Sequence, residues 1–155
     1  MRTAIVTGSF DPFTVGHYDL VVRAAALFDK VVVLMGVNPD KKYHFSKEAR
    51  LMAIRACFPD GSVEVESAEG MLFDFAGRYE NPVFVRGVRN ETDLEYELVL
   101  AAGNRELGGM ETVLLPAGKD LAGISSGIAR EAEREGNGLH GIVPEAAIAI
   151  LEELG

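Results

Sequence analysis

The stretch GSFDPFTVGH, residues 8–17, gathers two hydroxyls, a carboxylate, an imidazole and two glycines within ten positions. Gly8 permits unusual backbone angles or the close approach of a ligand, Ser9 offers a hydroxyl and an N–H, and Pro12 stiffens the turn. Gly16 and His17 then enter a helix whose first N–H groups lack helical partners and favour an anion. An imidazole there can donate to a phosphate oxygen without a permanent charge. Spacing alone leaves two readings of His17 open: a group acting on a bound anion, or a polar cap on the first turn of a buried helix.

Three further segments carry related chemistry. NPDKK (38–42) brings Lys41 and Lys42, which either hold an anion or are simply solvated. RGVR (86–89) brings Arg86 and Arg89 around Gly87 and Val88. An arginine at the end of a buried strand is costly unless it meets an anion, either a ligand or an acid such as Asp93 or Glu97. In ISSG (124–127), Ser125 and Ser126 can cap a helix and bind phosphate through hydroxyl and N–H, and Gly127 keeps its N–H. No Ser–His–Asp or Cys–His pattern suggests a covalent intermediate, and the spacing of His44 and His140 gives no reason to expect a metal site with His17.

These segments follow apolar runs. Strand-like stretches at 4–8, 31–37, 62–67, 82–88 and 112–116 alternate with helically spaced segments at 16–28, 46–58, 70–79, 91–107, 125–135 and 144–154. The helix over 16–28 places Leu20, Val21, Ala24, Leu27 and Phe28 on one face, and that over 46–58 places Leu51, Ile54 and Phe58 together. Leu72, after the third strand, reads as ordinary core. Along 91–107, Asp93, Glu97 and Asn104 share one side, facing water or lining a cleft; the apolar side packs internally or against another subunit. The alternation predicts an α/β single domain over 1–155: a Rossmann-like, doubly wound parallel sheet of about five strands with helices on both faces. VVVLMGV, almost unbroken in its apolar run, suits a central strand. In such folds ligands bind beyond the carboxyl ends of the strands, so the four segments should open on one edge.

Composition narrows the function. The 155-residue chain has a net charge of −9, which argues against nucleic acid as the main partner. Screening beyond about 8 Å at physiological salt still lets a few basic residues in a cleft hold a phosphate. No apolar run is long enough for a membrane span, and the N-terminus reads as a first strand rather than a signal peptide. Cys57 is the only cysteine, so no internal disulfide forms, as suits a reducing cytoplasm; it reads as a small buried hydrophobe.

TVGH (14–17) resembles the (T/H)-x-G-H signature of the nucleotidyltransferase superfamily. GSFDPFTVGH, NPDKK, RGVRNETDLEYE and ISSG together resemble the bacterial phosphopantetheine adenylyltransferase family, in order and over nearly the whole chain. The resemblance implies transfer of AMP from ATP to the phosphate of 4′-phosphopantetheine, giving dephospho-coenzyme A and pyrophosphate, with Mg²⁺ carried mainly by the nucleotide phosphates, in a homohexamer (a dimer of trimers). The acceptor phosphate, with its second pKa near about 6, is already the nucleophile, so in-line positioning and charge stabilisation matter more than a protein base.

By the same resemblance His17 binds ATP and stabilises the transition state, and Ser9 contacts both substrates. Phe10, Gly87, Val88, Arg89 and Glu97 bind ATP. Lys41, with Lys42 as a neighbour able to exchange roles, holds the acceptor phosphate, and Lys41 and Arg89 join His17 in catalysis. Arg86, Leu72 and Asn104 contact the acceptor. Leu121, Ala122, Gly123, Ile124, Ser125, Ser126 and Gly127 line the nucleotide. The chain departs from the family in having ISSG where ISSS is common, and Leu121 and Ala122 where an aromatic is frequent. Alternatives are another adenylyl- or cytidylyltransferase, acting for instance on nicotinamide mononucleotide, or a non-catalytic nucleotide-binding domain. The RGVRNETDLEYE block favours the pantetheine branch, and the RTxGxS(T/S) block of cytidylyltransferases is absent.

Overall fold

The structure, a computed structural model, describes all 155 residues. Five strands, β1 (Thr3–Gly8), β2 (Lys30–Val37), β3 (Glu64–Glu69), β4 (Pro82–Val88) and β5 (Thr112–Pro116), form one sheet in the order β3-β2-β1-β4-β5. Every pairing is parallel. The connecting helices are α1 (Val15–Leu27), α2 (Lys47–Ala56), α3 (Leu72–Ala76) and α4 (Glu91–Gly108); α5 (Ser126–Arg134) and α6 (Glu145–Leu154) follow. The chain steps outward from β1 to β3, then returns to the other side of β1 and continues to β5. Strand order therefore reverses between β1 and β4, where a crevice opens beyond their carboxyl ends.

Alternation along the central strands fills both faces. Ala4 and Val6 of β1, with Val31, Val33 and Met35 of β2, meet Leu20, Val21 and Ala24 of α1 and Ile54 of α2. Ile5, Val32, Leu34 and Phe84 point the other way, toward Ala76 of α3. Phe73 packs directly on the α-carbon of Gly108, where any side chain would collide with its ring, so α3 and α4 lie in close contact. A third cluster joins α2, α5 and α6 through Ala49, Ala53, Ala129, Ala147 and Leu151, with Phe45 against them.

The differences from the sequence reading have local causes. β3 runs over 64–69 rather than 62–67, because its pairing with β2 continues from Val32–Glu64 to Val37–Glu69. The helix expected over 70–79 is only the five residues of α3. Leu27 is 65% exposed: α1 ends there, and Phe28, the extended C-cap residue, packs into the core instead. Cys57 is partly buried, and burial raises its thiol pKa to about 11.

Candidate active site

A cavity of about 790 Å³ lies at the carboxyl ends of β1 and β4 and draws its lining from all four strand-end segments. Its size suits a nucleotide-sized ligand. Seven arginines and lysines line it against four acids, although the whole chain carries −9. An acidic molecule thus concentrates positive charge in one concave place, where low-dielectric walls focus the field.

His17 caps its own helix and also lines the cavity. Thr14 is the N-cap of α1, and its Oγ1 accepts from the His17 N–H at 3.3 Å. The imidazole answers: Nδ1 accepts from the Thr14 N–H at 2.9 Å, so histidine fills the place that glutamate or glutamine takes in an ordinary capping box. An Nδ1 engaged as acceptor puts the proton of the neutral ring on Nε2, which has no partner within the protein. Phe13 stacks on the imidazole with centroids 5.6 Å apart, and Phe10 meets it edge-on at 5.0 Å. Desolvation in this aromatic setting, reinforced by the charges of Arg86 and Arg89, lowers the His17 pKa from 6.5 to about 4. At neutral pH the ring is therefore an uncharged donor at the cavity wall.

The loop before it is built to hold that ring. Phe10 adopts a positive φ of 48°, a conformation rarely taken by a residue with a Cβ. Its ring lies over Gly8, where an added Cβ would come within 2.8 Å of Phe10 Cε1. The first-turn amides of α1 are less free than the sequence suggests. The Val15 N–H goes to the Ile142 carbonyl at 2.9 Å and the His17 N–H to its cap, which leaves Gly16.

Arg86, on β4, forms a two-pronged pair with the buried carboxylate of Glu97 on α4, at 2.8 and 2.7 Å, and its Nη1 donates to the Thr7 carbonyl at 2.7 Å. Arg89 pairs with Asp93, one turn into the same helix, at 3.0 and 3.2 Å. The acids weighed as alternative partners are indeed the partners, yet both arginines still line the cavity. The pairs fix each guanidinium plane in advance. Asn90 caps α4 by accepting from the Asp93 N–H at 2.9 Å, which sets where these carboxylates start.

Ser125 caps α5, accepting from the Ile128 N–H at 3.1 Å, and Ser126 Oγ donates to the Pro12 carbonyl at 2.7 Å. With both hydroxyls engaged, the amides of Ser126 and Gly127 remain as donors without protein acceptors, and the ISSG departure leaves that feature intact. Lys41 and Lys42 both line the cavity and make no ion pair.

Ser9, Phe10, His17, Lys41, Arg86, Gly87, Val88, Arg89, Glu97, Leu121, Ile124, Ser125, Ser126 and Gly127 are thus brought to one cavity. Ala122, Gly123, Leu72 and Asn104 are not among its lining residues. Leu72 packs over Gly36 beside the core, as its sequence context alone suggested. Asn104 shares the side of Glu97, but seven residues along a helix is about 10 Å, which carries it away from the strand ends.

Sequence reasoning missed several participants. Asp11 is buried and accepts from the amides of His44 and Phe45 at 2.8 and 2.9 Å. His44 contacts Glu133, and Arg130 and Arg134 of α5 reach the cavity, Arg130 by donating to the Asp11 carbonyl at 2.8 Å. The available signal was spacing: Arg130 and Arg134 lie one turn apart on a helix already tied to the site by its N-terminal serines.

A family described as cytidylyltransferase-like matches residues 5–132. A phosphopantetheine adenylyltransferase of Flavobacterium psychrophilum is 42% identical over 147 residues, covering 94% of this chain and 97% of that protein. One of Kocuria rhizophila is 41% identical over 155 residues, covering 99% of each. Among solved structures, a bifunctional NMN adenylyltransferase/ADP ribose pyrophosphatase of Francisella tularensis superposes with a TM-score of 0.61 at 15% identity. That match spans 94% of this chain and 43% of the other, and bears on the fold alone. With its whole length matched by such relatives, the chain belongs to the phosphopantetheine adenylyltransferase family, within the cytidylyltransferase-like group.

Proposed function

We propose that this cavity transfers AMP from ATP to 4′-phosphopantetheine, yielding dephospho-coenzyme A and pyrophosphate. An oxygen of the acceptor phosphate attacks the α-phosphorus. One P–O bond forms as the bond to the β-phosphate bridging oxygen breaks, and pyrophosphate leaves with the electron pair. No enzyme-bound intermediate forms and no protein base is needed, because the acceptor is already ionised. The observation that carries this reading is His17. Its Nδ1 is locked by the cap, its pKa is held far below neutrality, and its Nε2–H is unshared in a cavity rich in cations. Such a donor suits charge growing on the α-phosphate oxygens and performs no acid–base work.

The remaining roles follow from position. Ser9, Lys41 and Arg86 receive the acceptor phosphate, with Lys42 beside them. Arg89 and the free amides of Ser126 and Gly127 receive the triphosphate. Glu97 acts through Arg86 by holding its plane.

Every carboxylate lining the cavity already has a protein partner: Asp11 two amides, Asp19 Arg23, Asp93 Arg89 and Glu97 Arg86. No cluster of three His, Cys, Asp or Glu side chains is arranged to hold a metal. The donor set therefore fits Mg²⁺ ligated by phosphate oxygens and water, the ion neutralising charge on the polyphosphate when bound.

The same proposal includes assembly into a homohexamer in the cytoplasm. On α4, Leu98 is 54%, Val99 73% and Leu107 72% exposed, an apolar surface that suits a second subunit.

The purified protein is incubated with MgATP and, separately, phosphopantetheine, nicotinamide mononucleotide or glycerol phosphate, and pyrophosphate release is measured. Release with phosphopantetheine is expected; release only with another acceptor overturns the assignment.

A further inference from the structure

Arg50 is the largest fully buried side chain of the molecule, 1% exposed, and it does not line the cavity. It sits on α2 among Ala49, Ala53 and Ile54, a helix face that otherwise belongs to the core. A buried cation is retained only where its donors are matched, and these donors reach into two different loops. Nη1 donates to the Ser9 carbonyl at 2.7 Å and Nε to the Phe45 carbonyl at 3.2 Å. The guanidinium lies over the Tyr43 ring, 3.9 Å from its centroid. The Tyr43 hydroxyl accepts from the Asn38 N–H at 3.0 Å, closing the turn that carries Lys41 and Lys42. From the opposite direction Asp11, on the Ser9 loop, accepts the amides of His44 and Phe45 at 2.8 and 2.9 Å. The 38–45 segment is thus held by Arg50 at the Phe45 carbonyl and by Asp11 at the His44 and Phe45 amides, and Arg50 also bonds the Ser9 carbonyl and stacks on Tyr43.

We infer that Arg50 is a positioning residue for the acceptor phosphate: by joining the Ser9 carbonyl, the Phe45 carbonyl and the Tyr43 ring, it sets the separation between the Ser9 loop and the Lys41–Lys42 turn. The inference rests on the acceptor roles assigned above to Ser9 and Lys41. Arg89 with Asp93 and the α5 amides make no contact with Arg50, and Ser9, which by the resemblance also meets the nucleotide, bonds Arg50 only through its carbonyl, so the acceptor should respond more strongly than the nucleotide to its loss. A lysine in its place keeps the charge but has neither the planar fork nor the stacking face.

Full-length Arg50→Lys and Tyr43→Leu are compared with wild type in three measurements: KM for phosphopantetheine, Kd for ATP without acceptor, and amide hydrogen exchange of residues 38–45 and of α4. The expected result is at least a tenfold rise in acceptor KM, ATP Kd within twofold, and at least tenfold faster exchange confined to 38–45. Acceptor and ATP binding weakened alike, or unchanged exchange over 38–45, overturns the inference. If Arg50→Lys does not fold, Tyr43→Leu, which removes the stacking surface, the turn bond and the ring 5.2 Å from Lys41 Nζ, decides by the exchange of 38–45 and the ATP Kd. Should wild type release no pyrophosphate with phosphopantetheine, the proposed function fails on that count, while the exchange comparison still decides whether Arg50 holds the turn.

Discussion

The proposed chemistry rests on an imidazole whose tautomer is fixed by its own helix cap and whose pKa is lowered by burial, then by Arg86 and Arg89. Thr14 and His17 exchange hydrogen bonds, two phenylalanine rings strip water from the ring, and Arg86 and Arg89 repel a second proton. An NMR titration should therefore place the His17 midpoint near 4, and a midpoint at 6–7 would contradict the desolvated environment. The effect on stability follows in sign. Between pH 6.5 and 4 the unfolded chain protonates this histidine and the fold does not, so stability is full above 6.5 and falls as pH drops through that window. The loss is at most about 3 kcal/mol, and His17→Gln should flatten that part of the pH–stability curve measured by urea denaturation. Gly8→Ala tests the support of the same ring. Its new Cβ would press on Phe10, costing about 1–3 kcal/mol and lowering turnover, whereas a neutral effect would mean that Phe10 moves freely. The TVGH spacing made His17 visible in the sequence. Arg50 and Asp11 were not visible, since their partners lie in other segments, 33–41 residues away for Asp11 with His44 and Arg50 with Ser9. The one local hint was a charged residue on an otherwise apolar helix face.

At the scale of elements, strand ends and helix starts place the chemistry. β4 delivers Arg86 and α4 delivers Glu97, and their two-pronged bond makes the strand and the helix one unit. Glu97→Ala leaves Arg86 partly buried and unpaired, a change that should cost about 2–4 kcal/mol in chemical denaturation and raise KM for the acceptor. Wild-type stability in that variant would mean that water replaces the carboxylate without loss. Thr14→Ala should cost about 1 kcal/mol by removing the cap hydroxyl, while the bond from the Thr14 N–H to His17 Nδ1 persists and turnover changes less. The order of elements was legible because apolar runs of strand type alternate with helical spacing. Their limits were less so: the true span of β3 depends on its register with β2, and the shortness of α3 on its packing against α4, both long-range facts. Asn104 lies about two turns along α4 from Glu97 and outside the cavity lining, a separation that a shared helix face does not reveal.

The whole molecule separates its charges, with an acidic surface around a basic cavity, and exposes Leu98, Val99 and Leu107 among the charged residues of α4. Sedimentation should give a species near six times 16.7 kDa, and Val99→Asp should shift it toward smaller assemblies; a wild-type monomer would contradict the proposed hexamer. The parallel sheet and the edge on which the segments meet were readable from the sequence because the segments follow strands, and strand ends in this topology share one side. The most direct test of the central claim is to measure kcat and ATP Kd together for His17→Ala. Turnover should fall about 10²–10³-fold with ATP affinity nearly unchanged, since the neutral donor acts on charge that develops only in the transition state. Equal losses in turnover and ATP binding would contradict it, reducing His17 to a group that merely binds the nucleotide.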